Sequence, residues 1–191
     1  MPKRTYKRSK RSSRSSSSIT SGYSYSNPLT VLGVDPPNAL AVVRGDAMLF
    51  HGSFRKNPSY RKNSFAISEL MELAMVHKPD IIAIEDQWID LRRGPDGKLL
   101  RRLDTPLILS RKSGLWVYAW FEHGGETEPE FLEPGEWQKP VIGGRAAAKG
   151  TNAERKFLAQ AVIRHIYGPD LDEDEVDAAG VARSKSLRLV A

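Results

Sequence analysis

The stretch Pro28-Leu-Thr-Val-Leu-Gly-Val-Asp-Pro-Pro-Asn-Ala-Leu-Ala-Val-Val-Arg-Gly-Asp-Ala-Met-Leu-Phe50 decides the fold class. Leu29 to Val34 is a short apolar run rich in β-branched residues, and Asp35, Pro36, Pro37 and Asn38 break it. Leu40 to Val43 is a second such run, and Met48 to Phe50, across Arg44, Gly45 and Asp46, is a third. Three strands joined by turns this short form an antiparallel meander. The Pro-Pro-Asn turn is brief and implies a tight first hairpin.

Beyond the meander and a basic loop, Arg55 to Lys62, the apolar residues Ile67, Leu70, Met71 and Ala74 recur with helical spacing. That helix stops before Pro79. Ile81, Ile82, Ala83 and Ile84 form an unbroken apolar run, as expected of a strand covered on both faces, and it ends at Glu85. Thr105 and Pro106 supply a cap and first turn for a helix running to about His123, with Gly124 and Gly125 as its stop. Phe131 and Leu132 suggest a last strand, and Pro134 to Lys139 a short helix. Two further helices are expected over Asn152 to Tyr167 and from Asp172 to about Lys185. Strands first antiparallel and then interleaved with helices indicate an α/β domain, with a mixed sheet and helices on its faces.

At 191 residues, 40% hydrophobic and 27% charged, the chain suits one globular unit with a substantial core. Its net charge of +6 is unevenly placed. Seven of the 29 basic residues and none of the 23 acidic ones fall in residues 1–27, a segment dense in serine, and the remainder is nearly neutral. Residues 1–27 therefore read as a disordered basic tail, and 28–191 as the folded domain. Three roles stay open for the tail: an electrostatic arm for nucleic acid, a nuclear or organellar targeting sequence, or a solubilising extension. The absence of cysteine excludes disulfides, a thiol nucleophile and thiolate-ligated metals. The four histidines stand apart from one another, which leaves a hard metal on carboxylates as the metal chemistry still open. No apolar run approaches the roughly 18 residues that span a bilayer, so no membrane partner is expected.

Most acidic side chains are solvated, but two stand where solvation is difficult. Asp35 follows Leu32-Gly-Val34, and Glu85 follows the most apolar run of the chain. An ionised carboxylate leaving a buried strand needs a compensating cation. The third element is Asp172-Glu-Asp-Glu-Val-Asp-Ala-Ala-Gly-Val-Ala182. Asp174 and Asp177 are three apart and share one side of a helix, and Ala178, Ala179 and Gly180 let that helix approach the sheet closely. Favourable interaction with the helix dipole accounts for Asp172 and Glu173; Asp177, one turn inside, fits a functional role better. Carboxylates converging without histidine or cysteine suit a pair of Mg²⁺ or Mn²⁺ ions, roughly 3.5 to 4 Å apart in such sites, and in-line hydrolysis of a phosphodiester.

In order and content, Leu32-Gly-Val-Asp-Pro36, Ile82-Ala-Ile-Glu85, the helix from Leu107 to Trp120, Leu132-Glu-Pro-Gly-Glu-Trp-Gln-Lys139 and Asp174-Glu-Val-Asp-Ala-Ala179 resemble the RuvC-type Holliday-junction resolvases, a branch of the RNase H-like fold. The likeness extends over nearly all of the folded part. It implies a homodimer that binds branched DNA at a four-way junction and makes paired symmetric nicks. Each active site would use two Mg²⁺ ions, with Mn²⁺ as a substitute and no organic cofactor. Asp35, Glu85, Asp174 and Asp177 take the positions of the catalytic, metal-binding acids. Trp88 falls where the family commonly has an aromatic near the junction centre, able to stack on a displaced base or simply to pack. Lys139, Arg155 and Lys156 fall where basic residues approach the scissile phosphate.

The chain departs from the family in the long basic loop between Glu85 and Thr105, where Arg92 and Arg93 are candidate DNA contacts, and in its basic tail. Compact, divergent versions of this kind look more like viral or phage members, acting in the cytoplasm of a host cell. Two other functions fit the same residues: an RNase H-like nuclease for flap or RNA-DNA hybrid substrates, and a non-catalytic basic-tailed DNA-binding protein. The aromatic helix from Leu107 to Phe121 supplies either a dimer interface or ordinary core.

Overall fold

The computed structural model describes residues 28–36, 38–54, 65–86, 104–143 and 150–188. Strands β1 (Thr30–Asp35), β2 (Ala39–Arg44) and β3 (Ala47–Ser53) form the antiparallel meander expected from the sequence. Asn38 N–H donates to the Asp35 carbonyl over 2.9 Å, closing the first turn within the Pro-Pro-Asn segment. The second hairpin turns on Gly45 and Asp46, and Gly45 takes the left-handed φ of +59° that such a two-residue turn needs at its first position.

Helix α1 (Phe65–Met75) leads to β4 (Ile81–Glu85), which joins β1 in parallel with Val34 opposite Ile84. Helix α2 (Asp104–Glu122) precedes β5 (Glu130–Leu132), which lies parallel to β4. The five strands are ordered β3-β2-β1-β4-β5. Helices α3 (Pro134–Ile142), α4 (Asn152–Tyr167) and α5 (Glu173–Arg188) complete the chain. Each helix and strand boundary lies within a few residues of its expected place. The largest differences are at the ends of β3, α3 and α5, each of which runs three residues further.

Two apolar layers hold the sheet between helices. On one face Leu32, Val34, Leu40, Val42, Ile82 and Ile84 pack against α1 and α2. On the other Val31, Ala41, Val43 and Ala83 pack against α3, α4 and α5. β1 is buried along its whole length, because it has a strand on each side and a helix layer on each face. Side chains alternate across a strand, so its apolar residues serve both layers.

Gly33 explains how closely α5 can lie on β1. A Cβ there would fall 2.1 Å from the Ala178 carbonyl oxygen and 2.6 Å from the Ala182 nitrogen. Only a glycine opposite a row of alanines permits this contact. Part of the aromatic helix is core. Trp116 and Trp120 are core, whereas Tyr118 and Phe121 are exposed. Among the described residues no helix is long and apolar enough to cross a membrane.

Candidate active site

Asp35 is the last residue of β1 and Glu85 the last of β4. The strands are parallel neighbours in register, so both carboxyl groups emerge at the same edge of the sheet. Helix α5 packs across β1 and brings the Asp174 and Asp177 turn to that edge. All four side chains are buried, the least exposed being Asp177 at 2%. The carboxyl groups of Asp35 and Glu85 lie close enough for each to perturb the ionisation of the other.

This crowding governs the protonation of the site. Burial first, and then the charges of Glu85, Asp177 and Asp174, push Asp35 well above the ordinary carboxylate range. Burial also raises Glu85 and Asp177, against the opposing effect of their hydrogen-bond donors. The four acids identified in the sequence are thus one electrostatic unit, although they come from three separate parts of the chain.

Lys156 joins them. Its ammonium stands 2.7 Å from Asp177 Oδ2 and 3.8 Å from Glu173 Oε1. Partial burial works against its charge, but Asp177, Glu85 and Asp35 together hold its pKa above the usual lysine value. Arg155 does not share this place. Its guanidinium is turned to the Gly150 carbonyl, 2.6 Å away, and to the Asn152 side chain, so it secures the start of α4. Lys139 stands exposed on α3, and among the described residues it makes no contact with the acids. Of the three basic residues expected near the scissile phosphate, only Lys156 touches the acid cluster in this structure. Trp88, Arg92 and Arg93 lie outside the described residues.

The chain superposes on two structures of the same protein. One is described as T. thermophilus RuvC in complex with Holliday junction substrate, at a TM-score of 0.61 and 15% identity, covering 84% of this chain and 95% of that one. The other is a Thermus thermophilus RuvC structure, at a TM-score of 0.60 and 17% identity with the same coverage. The fold is RuvC-like. No family model and no curated protein matches the sequence. The expected RNase H-like mixed sheet, with helices on both faces, is what the RuvC-like chain has.

Three supporting side chains have roles not identified from the sequence. Trp137, buried on α3, donates from its indole Nε1 to Glu85 Oε1 over 2.8 Å. Gln160 donates to Asp177 Oδ1 over 2.9 Å. Gln160 lies one helical turn beyond Lys156, so the spacing alone places both on one face of α4. Glu175, only 1% exposed, is not directed at the cluster. Its Oε1 lies 2.9 Å from His51 Nδ1 on β3, and its Oε2 accepts from the Asp172 backbone N–H. Asp172 in turn accepts from the Glu175 N–H, forming a reciprocal cap at the start of α5. His51 and Glu175 thereby anchor the helix end that carries Asp174 and Asp177.

The donor set fits a hard divalent cation: carboxylate oxygens alone, buried and mutually repelling. Among the described residues, however, no group of three or more acidic or histidine side chains is already arranged as a metal cage. In this structure the Lys156 ammonium offsets part of the negative charge.

Proposed function

We propose that this protein is a Mg²⁺-dependent endonuclease that resolves four-way DNA junctions. The observation that carries the reading is the convergence of Asp35, Glu85, Asp174 and Asp177 at one buried edge of the sheet, each acid near enough to disturb the ionisation of Asp35. The fold is that of a protein whose structure is described as a complex with Holliday junction substrate, which favours branched DNA over other phosphodiesters.

Asp35, Glu85, Asp174 and Asp177 would hold the metal. When bound, the ions supply an activated water and stabilise the leaving oxygen, the usual contribution of paired divalent cations. The protein's own groups prepare the site. Trp137 fixes one oxygen of Glu85, Gln160 fixes one oxygen of Asp177, and the anchored end of α5 keeps Asp174 and Asp177 on the same side. Lys156, charged and at the lip of the cluster, suits the phosphate being cut.

Two coordinated cuts need two sites, so the active species is a homodimer. Leu115, Tyr118 and Phe121 on α2 are exposed, as are Leu73 and Val76 on the adjoining α1. This apolar surface is where the second copy would bind. The basic tail adds sequence-independent affinity for DNA.

The deciding experiment is cleavage of a mobile four-way junction with and without Mg²⁺, beside flap, linear duplex and RNA-DNA hybrid substrates. Paired, symmetric, ligatable nicks confined to the junction are expected. Equal cutting of flap or hybrid assigns the other nuclease function, and binding without cutting assigns the non-catalytic one.

A further inference from the structure

Asp177 has both oxygens engaged. Gln160 Nε2 holds Oδ1 at 2.9 Å, and the Lys156 ammonium holds Oδ2 at 2.7 Å. Gln160 is neutral and leaves the charge in place, whereas Lys156 cancels it. The same ammonium lies 3.8 Å from Glu173 Oε1. Asp177 is buried and Glu173 is 53% exposed, so Lys156 stands between a buried carboxylate and one at the solvent edge of the same end of α5. Lys156 is itself 43% exposed, so its stem borders solvent. A divalent cation using Oδ2 of Asp177 would meet this ammonium at close range, where like charges repel strongly in a partly buried site.

We infer that Lys156 is the built-in counter-cation of the acid cluster: its ammonium occupies the place at Asp177 Oδ2 that a metal ion takes, and metal entry drives it outward past Glu173. The inference rests on the reading that these acids bind a divalent metal. Its consequence is that metal binding delivers a mobile positive charge to the mouth of the site, where a DNA phosphate would arrive. Metal entry and formation of a phosphate contact then become one coupled event rather than two independent ones.

The test is calorimetric titration of Mn²⁺ alone into the full-length, metal-free protein. The variants are Lys156→Met, Lys156→Gln, Arg155→Met and Asp35→Asn. Lys156→Met should bind Mn²⁺ about tenfold more tightly than the parent, the scale expected for removing a close competing charge from a partly exposed site. Lys156→Gln should gain similarly, and it guards against a packing defect in the methionine variant. Arg155→Met removes a neighbouring charge not held by Asp177 and should gain at most about twofold. The melting temperature of Lys156→Met without metal should fall, and its rise on adding Mn²⁺ should exceed that of the parent. Unchanged or weaker Mn²⁺ binding in both Lys156 variants overturns the inference, as does an equal gain in Arg155→Met. If Asp35→Asn binds Mn²⁺ as the parent does, the metal-site reading falls and this inference with it. If only the Lys156 effect is missing, the metal site stands and the counter-cation does not.

Discussion

Trp137 Nε1 donates a 2.8 Å hydrogen bond to Glu85 Oε1, joining α3 to the end of β4 in the interior of the protein. The six-membered ring of Trp137 also rests on α5, where a Cβ on Gly180 would lie 2.5 Å from it. One side chain therefore sets both the orientation of a candidate catalytic acid and the spacing of the helix that carries two others. Trp137→Phe keeps most of the ring and removes the donor. Burial raises Glu85, and the Trp137 bond counteracts that rise, so losing the bond leaves Glu85 protonated to higher pH. Junction cleavage should fall about tenfold or more near neutral pH, from a lost bond to a charged group of roughly 1.5 to 3 kcal/mol. The acid limb of the pH-rate profile should move upward. A uniform loss of rate with no movement of that limb would assign Trp137 to packing alone.

Asp35 makes the metal-free protein sensitive to pH in a defined direction. Its folded pKa lies well above the unfolded value of 3.8, so the folded state takes up a proton before the unfolded state does. Stability in chelator should rise as pH falls from neutral through the raised value toward 3.8. Asp35→Asn should be more stable than the parent at neutral pH without metal, and its melting temperature should vary less between about pH 5 and 8. The same substitution should abolish cleavage while junction binding persists. A parent whose chelated form loses stability on mild acidification would contradict the assignment.

Gly33→Ala tests the approach of α5 to β1. The new methyl would meet backbone atoms of Ala178 and Ala182, which cannot rotate away. The helix must shift, at a cost of about 3 kcal/mol or more. Because Asp174 and Asp177 ride on that helix, Mn²⁺ affinity should fall as well as melting temperature. A variant that melts like the parent would show that α5 lies further from the strand.

Removing residues 1–27 deletes seven positive charges. If the tail acts as an arm, the truncated protein keeps its preference for junction over duplex but binds both more weakly. The slope of log affinity against log salt should shrink by about 0.9 for each DNA phosphate that the tail had neutralised. An unchanged slope would leave the tail a solubilising or targeting role.

The order of strands and helices was legible because its signals are local. The apolar run ending at Glu85, the Gly-Asp turn after β2 and the alanines after Asp177 each act within a few residues. The four acids were legible for a related reason: a carboxylate at the end of a buried strand, or one turn inside a close-packed helix, is conspicuous in one dimension. The fate of single cations was not. Lys156 and Arg155 are adjacent in sequence and alike in charge, yet one reaches Asp177 and the other caps its own helix.

By itself, then, the sequence determined the mixed sheet, the positions of Asp35, Glu85, Asp174 and Asp177, and the separation of a basic tail from a near-neutral body. Periodicity, turn chemistry and charge count are properties of neighbouring residues. Only the tertiary structure decided which groups hold those acids: Trp137 on Glu85, Gln160 and Lys156 on Asp177, and His51 on Glu175, a contact between residues 124 apart in the chain. Such pairs depend on the direction in which each helix face and strand edge points once the layers have packed, and no local pattern records that direction.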